Sequence, residues 1–432
     1  MDTSTAPGIT VTTWPGCPSR LLGDQSGRGR ESYQAYRNLG GYRPLADADE
    51  LLGEVERSGL QGRGGAAFPL AVKLRAVRDN GRLAGDPVVV ANGEEGEPAS
   101  IKDRWLLRNR PHLVLDGLRL AAATVAARRA YVYVSDPEAA RSVEAALTEH
   151  AFDDIAIEVF TVAPGYIAGE ETAVTRAING GPVKPTDKPP RPFQKGVGGR
   201  PTLVSNVETL ANLPFVQERG AAAFRAQGTA SSPGTLLVTL TGAGRPPGLY
   251  EIPHGLPFRE LVAHHGISPD RVQGALLGGY FAGLLNRAVL DATLDHETLR
   301  SLGSGLGCGA IAVLADECPV AVAASVLAYF DRENAGQCGS CFNGTAAMAA
   351  GAAALRDGTA TSEDLERLRR WSVTLRGRGA CATLDAATNV AATLLDQFPQ
   401  AVAGHLGDGC GPCRNQMFSA ERPFEAEAVV YA

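Results

Sequence analysis

Residues 87–98 read PVVVANGEEGEP, and the fold follows from how this stretch is read. Pro87 to Ala91 carries three consecutive valines, a short β-branched run suited to a buried strand. The run ends at Asn92, where Gly93, Gly96 and Pro98 impose a turn that carries three carboxylates, Glu94, Glu95 and Glu97. Upstream, residues 47–58 have a helical pattern. A glycine-rich segment, 59–69, separates them from a second helical stretch that reaches residue 78. Downstream, residues 113–128 and 137–150 read as helices, and 130–134 and 155–162 as strands. This β-α alternation implies a parallel sheet covered by helices. The acidic turn then leaves the carboxyl end of a strand, where open α/β sheets bind ligands.

The rest of the chain divides by composition. Residues 1–45 are polar and rich in Gly and Pro, an extended lead-in to a first α/β domain at 1–230. Residues 169–192, rich in Pro, Gly and Lys, read as a long functional loop within it. Residues 231–234 (SSPG) read as a linker. A small α+β domain follows at 231–318, with strands at 235–242, 248–252 and 275–278 and a helix near 258–265. From residue 319 to 432 the chain is Ala-rich and helical, with helices at 319–330, 342–356, 361–376 and 383–394, a bundle able to hold a cluster at its helix starts.

Composition narrows the function. With 44% hydrophobic and 20% charged residues the chain reads as a soluble globular protein. Its net charge of −6 excludes a nucleic-acid surface, which needs a basic face. No run approaches the about 18–20 apolar residues that span a bilayer. No basic segment followed by an apolar one opens the chain, so the expectation is a cytoplasmic protein, peripheral to a membrane only through partners. There are 8 cysteines. In a cytoplasmic chain two Cys-x-x-Cys pairs, Cys338/Cys341 and Cys410/Cys413, suggest metal or redox chemistry rather than disulfides. Inert buried thiols are the plainer reading, and it suits Cys17 and Cys318 best.

Four segments carry the candidate chemistry. Gly62-Arg-Gly-Gly-Ala-Ala-Phe68 places glycines before a helix, where backbone N–H groups and the helix dipole favour a phosphate, and Lys73 lies within reach of the same anion. Asn92 with Glu94, Glu95 and Glu97 offers hydrogen-bonding groups for ribityl or ribose hydroxyls, against the plainer reading of a solvated acidic turn. Tyr166-Ile-Ala-Gly-Glu-Glu-Thr172 again joins glycine to paired carboxylates. Lys188-Pro-Pro190 and Asn206-Val-Glu-Thr209 complete the set.

In order and spacing these motifs resemble the flavin-binding subunit of respiratory NADH dehydrogenase (complex I), a module also found in NAD-reducing hydrogenases and formate dehydrogenases. The resemblance runs from about residue 51 to about 395. It implies a Rossmann-like FMN domain, a ubiquitin-like β-grasp domain and a helix bundle with a [4Fe–4S] cluster. NADH would reduce the flavin, and electrons would leave through the cluster to a ferredoxin-like or other iron–sulfur partner subunit. Carried over, Gly62, Arg63, Gly64, Lys73, Asn92, Glu94, Tyr166, Gly169, Glu170 and Asn206 would hold FMN. Phe68, Glu95, Glu97, Glu171 and Lys188 would face the nucleotide, with Glu95 and Lys73 nearest the chemistry. Cys338, Cys341 and Cys381 would bind the cluster.

The chain departs from the family at telling places. Ala335 stands where the first cluster cysteine is expected, and a cubane normally takes four thiolates. Four outcomes are open: Cys410 or Cys413 folds back as the fourth ligand; Cys308 does so; a three-ligand or [3Fe–4S] centre forms; or the cluster is lost. Cys410-Gly-Pro-Cys413, outside the usual family pattern, is alternatively a separate metal site or without a role. Arg191 and Ala76 replace two aromatics expected on the nucleotide side, worth roughly 0.5–1.5 kcal/mol each in stacking. Arg191 makes NADP(H) an alternative to NAD(H). A diverged electron carrier or scaffold that no longer oxidises NADH, and a non-catalytic binding protein, are the competing functional readings.

Overall fold

The computed structural model describes residues 9–23, 29–407 and 409–427. The start of the expected lead-in (1–8), its residues 24–28 and the end of the expected bundle (428–432) lie outside the described residues. The first strands are β1 (Thr10–Thr13), β2 (Val88–Asn92), β3 (Arg129–Val134), β4 (Ala156–Thr161), β5 (Thr202–Asn206), β6 (Thr235–Gly242) and β7 (Gly248–Pro253).

The valine run becomes β2, an interior strand of a parallel sheet ordered β4-β3-β2-β5. Its side chains alternate between two cores. Val89 and Ala91 join the helix Pro111–Val125, whereas Val88 and Val90 pack with Val174 and Ala177. Burial on both faces explains why the sequence shows a continuous apolar run and no alternation. The chain moves outward from β2 through β3 to β4, then returns to the other side of β2 as β5. That reversal opens a crevice at the carboxyl ends of β2 and β5, the position where such sheets take ligands.

The expected loop at 169–192 holds a helix, Glu171–Ile178, whose first-turn N–H groups of Thr172 and Ala173 are capped by the Glu170 carboxylate. A glutamate is an uncommon cap, so the helix start was hidden in the sequence.

The second sheet runs β1, β7, β6, Ala310–Leu314, Gly274–Leu277, Leu284–Asn286. β7 is antiparallel to β6, and Ala310–Leu314 is parallel to it. The lead-in does not serve only the first unit: β1 pairs in parallel with β7. The cause is Glu251 on β7. Its buried carboxylate accepts the backbone N–H groups of Leu21 (2.9 Å) and Leu22 (3.2 Å) and the Thr235 hydroxyl (2.8 Å), with Arg20 at 3.9 Å.

In the last third, helices Pro319–Glu333, Gly339–Arg356, Ser362–Thr374 and Thr383–Gln397 pack on one another, followed by the short helices Pro399–His405 and Gly411–Gln416. Their core takes in Leu276 and Leu284 from the second sheet and Tyr280 from the turn between their strands. Among the described residues no helix is long and apolar enough to cross a membrane.

Glu251→Ala strands the Arg20 guanidinium and the backbone N–H groups of Arg20, Leu21 and Leu22 in the interior. A loss of about 3–5 kcal/mol in denaturant unfolding is expected, together with faster proteolysis within residues 9–23; unchanged values for both would show that the lead-in is held by other contacts.

Candidate functional site

The site is built on the register of two neighbouring strands. Asn92 and Asn206 are paired positions at the ends of β2 and β5, so both side chains stand at the crevice. The Asn92 amide donates to the Gly169 carbonyl (2.8 Å), and its oxygen accepts from Glu94 N (3.3 Å). Asn206 donates to Asp103 Oδ2 (2.7 Å) and caps the helix Val207–Ala211 through Glu208 N (3.0 Å). The acidic turn, the Tyr166 segment and the asparagines are therefore one connected group.

The acidic turn is not a solvated one. Glu94 accepts from the Ser135 hydroxyl and from Gly165 N (3.2 Å), and burial raises its carboxyl pKa. Glu95 accepts Asp103 N (3.2 Å) and Arg104 N (3.1 Å), together with Ser100 Oγ (2.5 Å) and Arg104 Nε (3.3 Å). Its side chain is 3% exposed. The helix Lys102–Asn109 has no side-chain cap of its own, and Glu95 supplies one. Glu95, expected from the sequence among the residues nearest the chemistry, is thus engaged in holding the start of this helix. Glu97 accepts Tyr280 N (3.0 Å) and Ala99 N (3.4 Å), which ties the turn to the second sheet. Gly96 is required by close approach, since a Cβ there would meet the Gly165 carbonyl at 2.6 Å.

Opposite this group lies the glycine loop. Gly65 has φ +123°, and a Cβ at Gly64 would come within 3.1 Å of Asn206 Cβ. Arg63 is brought to the loop only by its backbone: its N–H donates to Thr209 Oγ1 (2.8 Å), while its buried guanidinium turns inward to the carbonyls of Pro233 and Thr235. Lys73 Nζ donates to the Val204 carbonyl (3.2 Å). Desolvation lowers its pKa, with Glu171 opposing and Lys188 reinforcing the shift. A desolvated ammonium resting on a neutral carbonyl, next to glycines at a helix start, is a donor set that fits a phosphate. Lys188 pairs with Glu170 (2.7 Å) and Glu171 (3.6 Å), and Arg191 with Glu171 (3.6 Å). Lys73, Glu170, Glu171 and Lys188 thus gather on one side. Phe68 is exposed, and the Tyr166 ring packs edge-on against Tyr329 and Phe330.

At the cluster position Cys338 immediately precedes the helix Gly339–Arg356, and Cys341 lies in its first turn. Ala380 N donates to Cys338 Sγ (3.4 Å), which brings the Cys381 loop alongside. Burial, then the charges of Cys381 and Cys338, push the Cys341 thiol up to about 12. The three thiols lie near one another, a donor set whose chemistry suits an iron–sulfur centre. The carbonyl of Ala335 accepts from Lys184 Nζ (2.7 Å). Cys308 Sγ rests on the Gly278 carbonyl (3.6 Å). Cys410 and Cys413 do not fold back to this group: they gather with Cys318 and His405. Cys318, expected as an inert buried thiol, is buried and stands beside these three groups. The missed signal was His405-x4-Cys410-x2-Cys413, a spacing compatible with metal ligation.

Burial raises the Glu97 carboxyl from 4.5 to about 7. Between these values the folded chain holds a proton that the unfolded chain has lost, so stability falls as pH rises through the window. Glu97→Gln, neutral throughout, is expected to match the wild type near pH 5 and exceed it at pH 8 by about 2–3 kcal/mol in denaturant unfolding; equal differences at both pH values would rule out this titration.

Comparison with known proteins agrees with this geometry. Residues 55–215 match the Nuo51 FMN-binding domain, and residues 321–405 match the NADH-ubiquinone oxidoreductase-F iron-sulfur binding region. The chain is 33% identical to F-subunit 2 of the NADH-quinone oxidoreductase of Rhizobium meliloti over 396 residues, covering 86% of this chain and 93% of that one. It is 33% identical to the HndC subunit of the NADP-reducing hydrogenase of Solidesulfovibrio fructosivorans over 401 residues, 88% of this chain and 81% of that one. Among solved structures, an NAD+-reducing [NiFe]-hydrogenase in the H2-reduced state superposes with a TM-score of 0.76 at 32% identity over 83% of this chain. An NAD+-reducing [NiFe]-hydrogenase in the air-oxidized state gives 0.75 at 30% identity over 88%. The chain spans 63% and 65% of those two solved chains. Identity sustained over nearly the full length of the Rhizobium protein places this chain in the family of NADH-quinone oxidoreductase F-subunits.

Proposed function

We propose that the chain is the FMN-binding subunit of an NAD(P)H:acceptor oxidoreductase. Bound FMN supplies the exchange between the electron pair of a nicotinamide and the single electrons taken by an iron–sulfur site. The observation that carries the reading is the convergence at one sheet edge of the paired asparagines Asn92 and Asn206 and the desolvated Lys73.

Each group then has a role. Gly62 and Gly64 admit a phosphate to the backbone, and Lys73 with the start of helix Leu70–Ala84 balances its charge. Asn92, Glu94, Gly169 and Asn206 present hydrogen-bonding groups to the ribityl chain. Glu95 keeps the acidic turn in place by capping the next helix, and Glu97 ties that turn to Tyr280. Glu170, Glu171, Lys188 and Phe68 line the nucleotide side. Cys338, Cys341 and Cys381 hold an iron–sulfur cluster on three thiolates. The strand order of the second sheet, in which the parallel pair of β6 and Ala310–Leu314 is flanked on each side by an antiparallel neighbour, supports a β-grasp unit, and the packed helices after residue 319 support a bundle. Chain division at about 230 and 318 follows from these. Electrons pass to an iron–sulfur partner subunit of ferredoxin-like type, and any membrane association is peripheral.

Anaerobic absorbance titration tests the reading. Bleaching of the bound flavin at stoichiometric NADH or NADPH is expected. A flavin that neither nucleotide bleaches sinks the dehydrogenase and favours a carrier or scaffold, the reading that Ala76 and Arg191 support. If Arg191 binds a 2′-phosphate, Arg191→Ala weakens NADPH about tenfold to a hundredfold and leaves NADH unchanged; equal effects on both exclude that contact. Lys73→Met is expected to weaken FMN retention by a similar factor, read from flavin released on dialysis; full retention would remove Lys73 from the phosphate site.

A further inference from the structure

Cys318, His405, Cys410 and Cys413 converge behind the helices, and their ligand atoms all lie within 4.8 Å of one another. Cys318 and His405 are buried, and the other two are partly so. His405 Nε2 is 3.2 Å from Cys318 Sγ and 3.9 Å from Cys413 Sγ, and Cys413 N donates to Cys410 Sγ (3.4 Å). His405 Nδ1 is buried without a partner among the described residues. Zn–S bonds of about 2.3 Å and Zn–N bonds of about 2.0–2.1 Å in a tetrahedron set neighbouring ligand atoms about 3.5–3.8 Å apart. The observed spacing fits one ion. Three thiolates and an imidazole form a closed tetrahedral set of the structural zinc type, with no position left for substrate.

We propose that these four residues bind a structural Zn2+ ion, separate from the cluster site of Cys338, Cys341 and Cys381. The iron–sulfur region matched by the family ends at residue 405 and begins at 321, so three of the four ligands lie outside it. The local fold is arranged for the ion. Cys318 precedes Pro319 at the start of one long helix. Cys410 caps the helix Gly411–Gln416, with Cys413 in its first turn, as a Cys-Gly-Pro-Cys knuckle. Thiols give up their protons on binding, so the ion also removes the cost of packing three thiols against one another.

The ion anchors the tail that follows. Beyond Cys413, the tail crosses the helices and reaches the first unit. The Tyr280 hydroxyl donates to the Pro423 carbonyl and Arg332 to the Glu421 carbonyl. Ala426 N donates to the Pro98 carbonyl (2.9 Å), and Arg104 Nη2 to the Ala426 carbonyl (3.2 Å). The zinc site therefore fixes the segment that closes over the end of the acidic turn.

The test is elemental analysis of the full chain purified without chelator. About one zinc per chain is expected, unchanged in Cys338→Ser and lost in Cys413→Ser. Cobalt loading of the wild-type chain should give the intense visible bands of a tetrahedral thiolate site, an outcome that does not depend on any variant folding. Chelation should speed proteolysis within residues 409–427. Zinc below about a tenth of an equivalent in the wild type, iron in its place, a disulfide among the three cysteines, or full zinc in Cys413→Ser would each overturn the proposal.

Discussion

One buried carboxylate, Glu208, holds the units and the site in a common frame. It is 1% exposed. It meets Lys102 Nζ at 3.0 Å and Arg63 Nε at 3.9 Å, and accepts Leu237 N of β6 at 2.9 Å. Lys102 in turn reaches Asp103 (2.7 Å) and Asn206 (3.4 Å). A charge this deep is tolerable only when every partner is present, so the network is all-or-none. Its consequence is that the seam between the parallel sheet and the second sheet, and the position of Asn206 in the crevice, are set by the same hydrogen bonds. A shift at the seam cannot leave the crevice unchanged.

The alternating first unit was legible because its strands and helices are local patterns. β2, β3 and β4 are short β-branched or aromatic runs between helices with clear apolar faces. The strand Ala310–Leu314 was not legible, although it forms the centre of the second sheet. A run of Ala, Ile, Val and Leu reads equally well as part of a buried helix, and its pairing with β6 is set some 70 residues away by tertiary packing. β1 escaped for the same reason: its partner is β7, and the anchor that recruits it is a glutamate on that distant strand.

The candidate site was legible as a set of residue types but not as a division of labour. Sequence alone marks Glu94, Glu95 and Glu97 as three equivalent carboxylates beside a ligand. Only packing shows that each serves a different structural need: one joins the Tyr166 segment, one caps a helix and one reaches across to the second sheet. Likewise the Cys338/Cys341 pair was readable from its spacing and Cys381 from the family resemblance, whereas Cys318 looked isolated because its companions lie about ninety residues further on. Histidine was the overlooked partner, since a single His on a short helix carries no signal until its neighbours are known.

The tail that lies over the acidic turn also constrains how the protein is made. Arg104 waits for Ala426, 322 residues later in the chain. At about 5–20 residues per second of synthesis, that wait lasts roughly 16–64 s. The parallel sheet can form early, but the strap across its ligand edge arrives only once residue 426 has been translated. A nascent chain therefore carries an uncovered crevice rim throughout that interval.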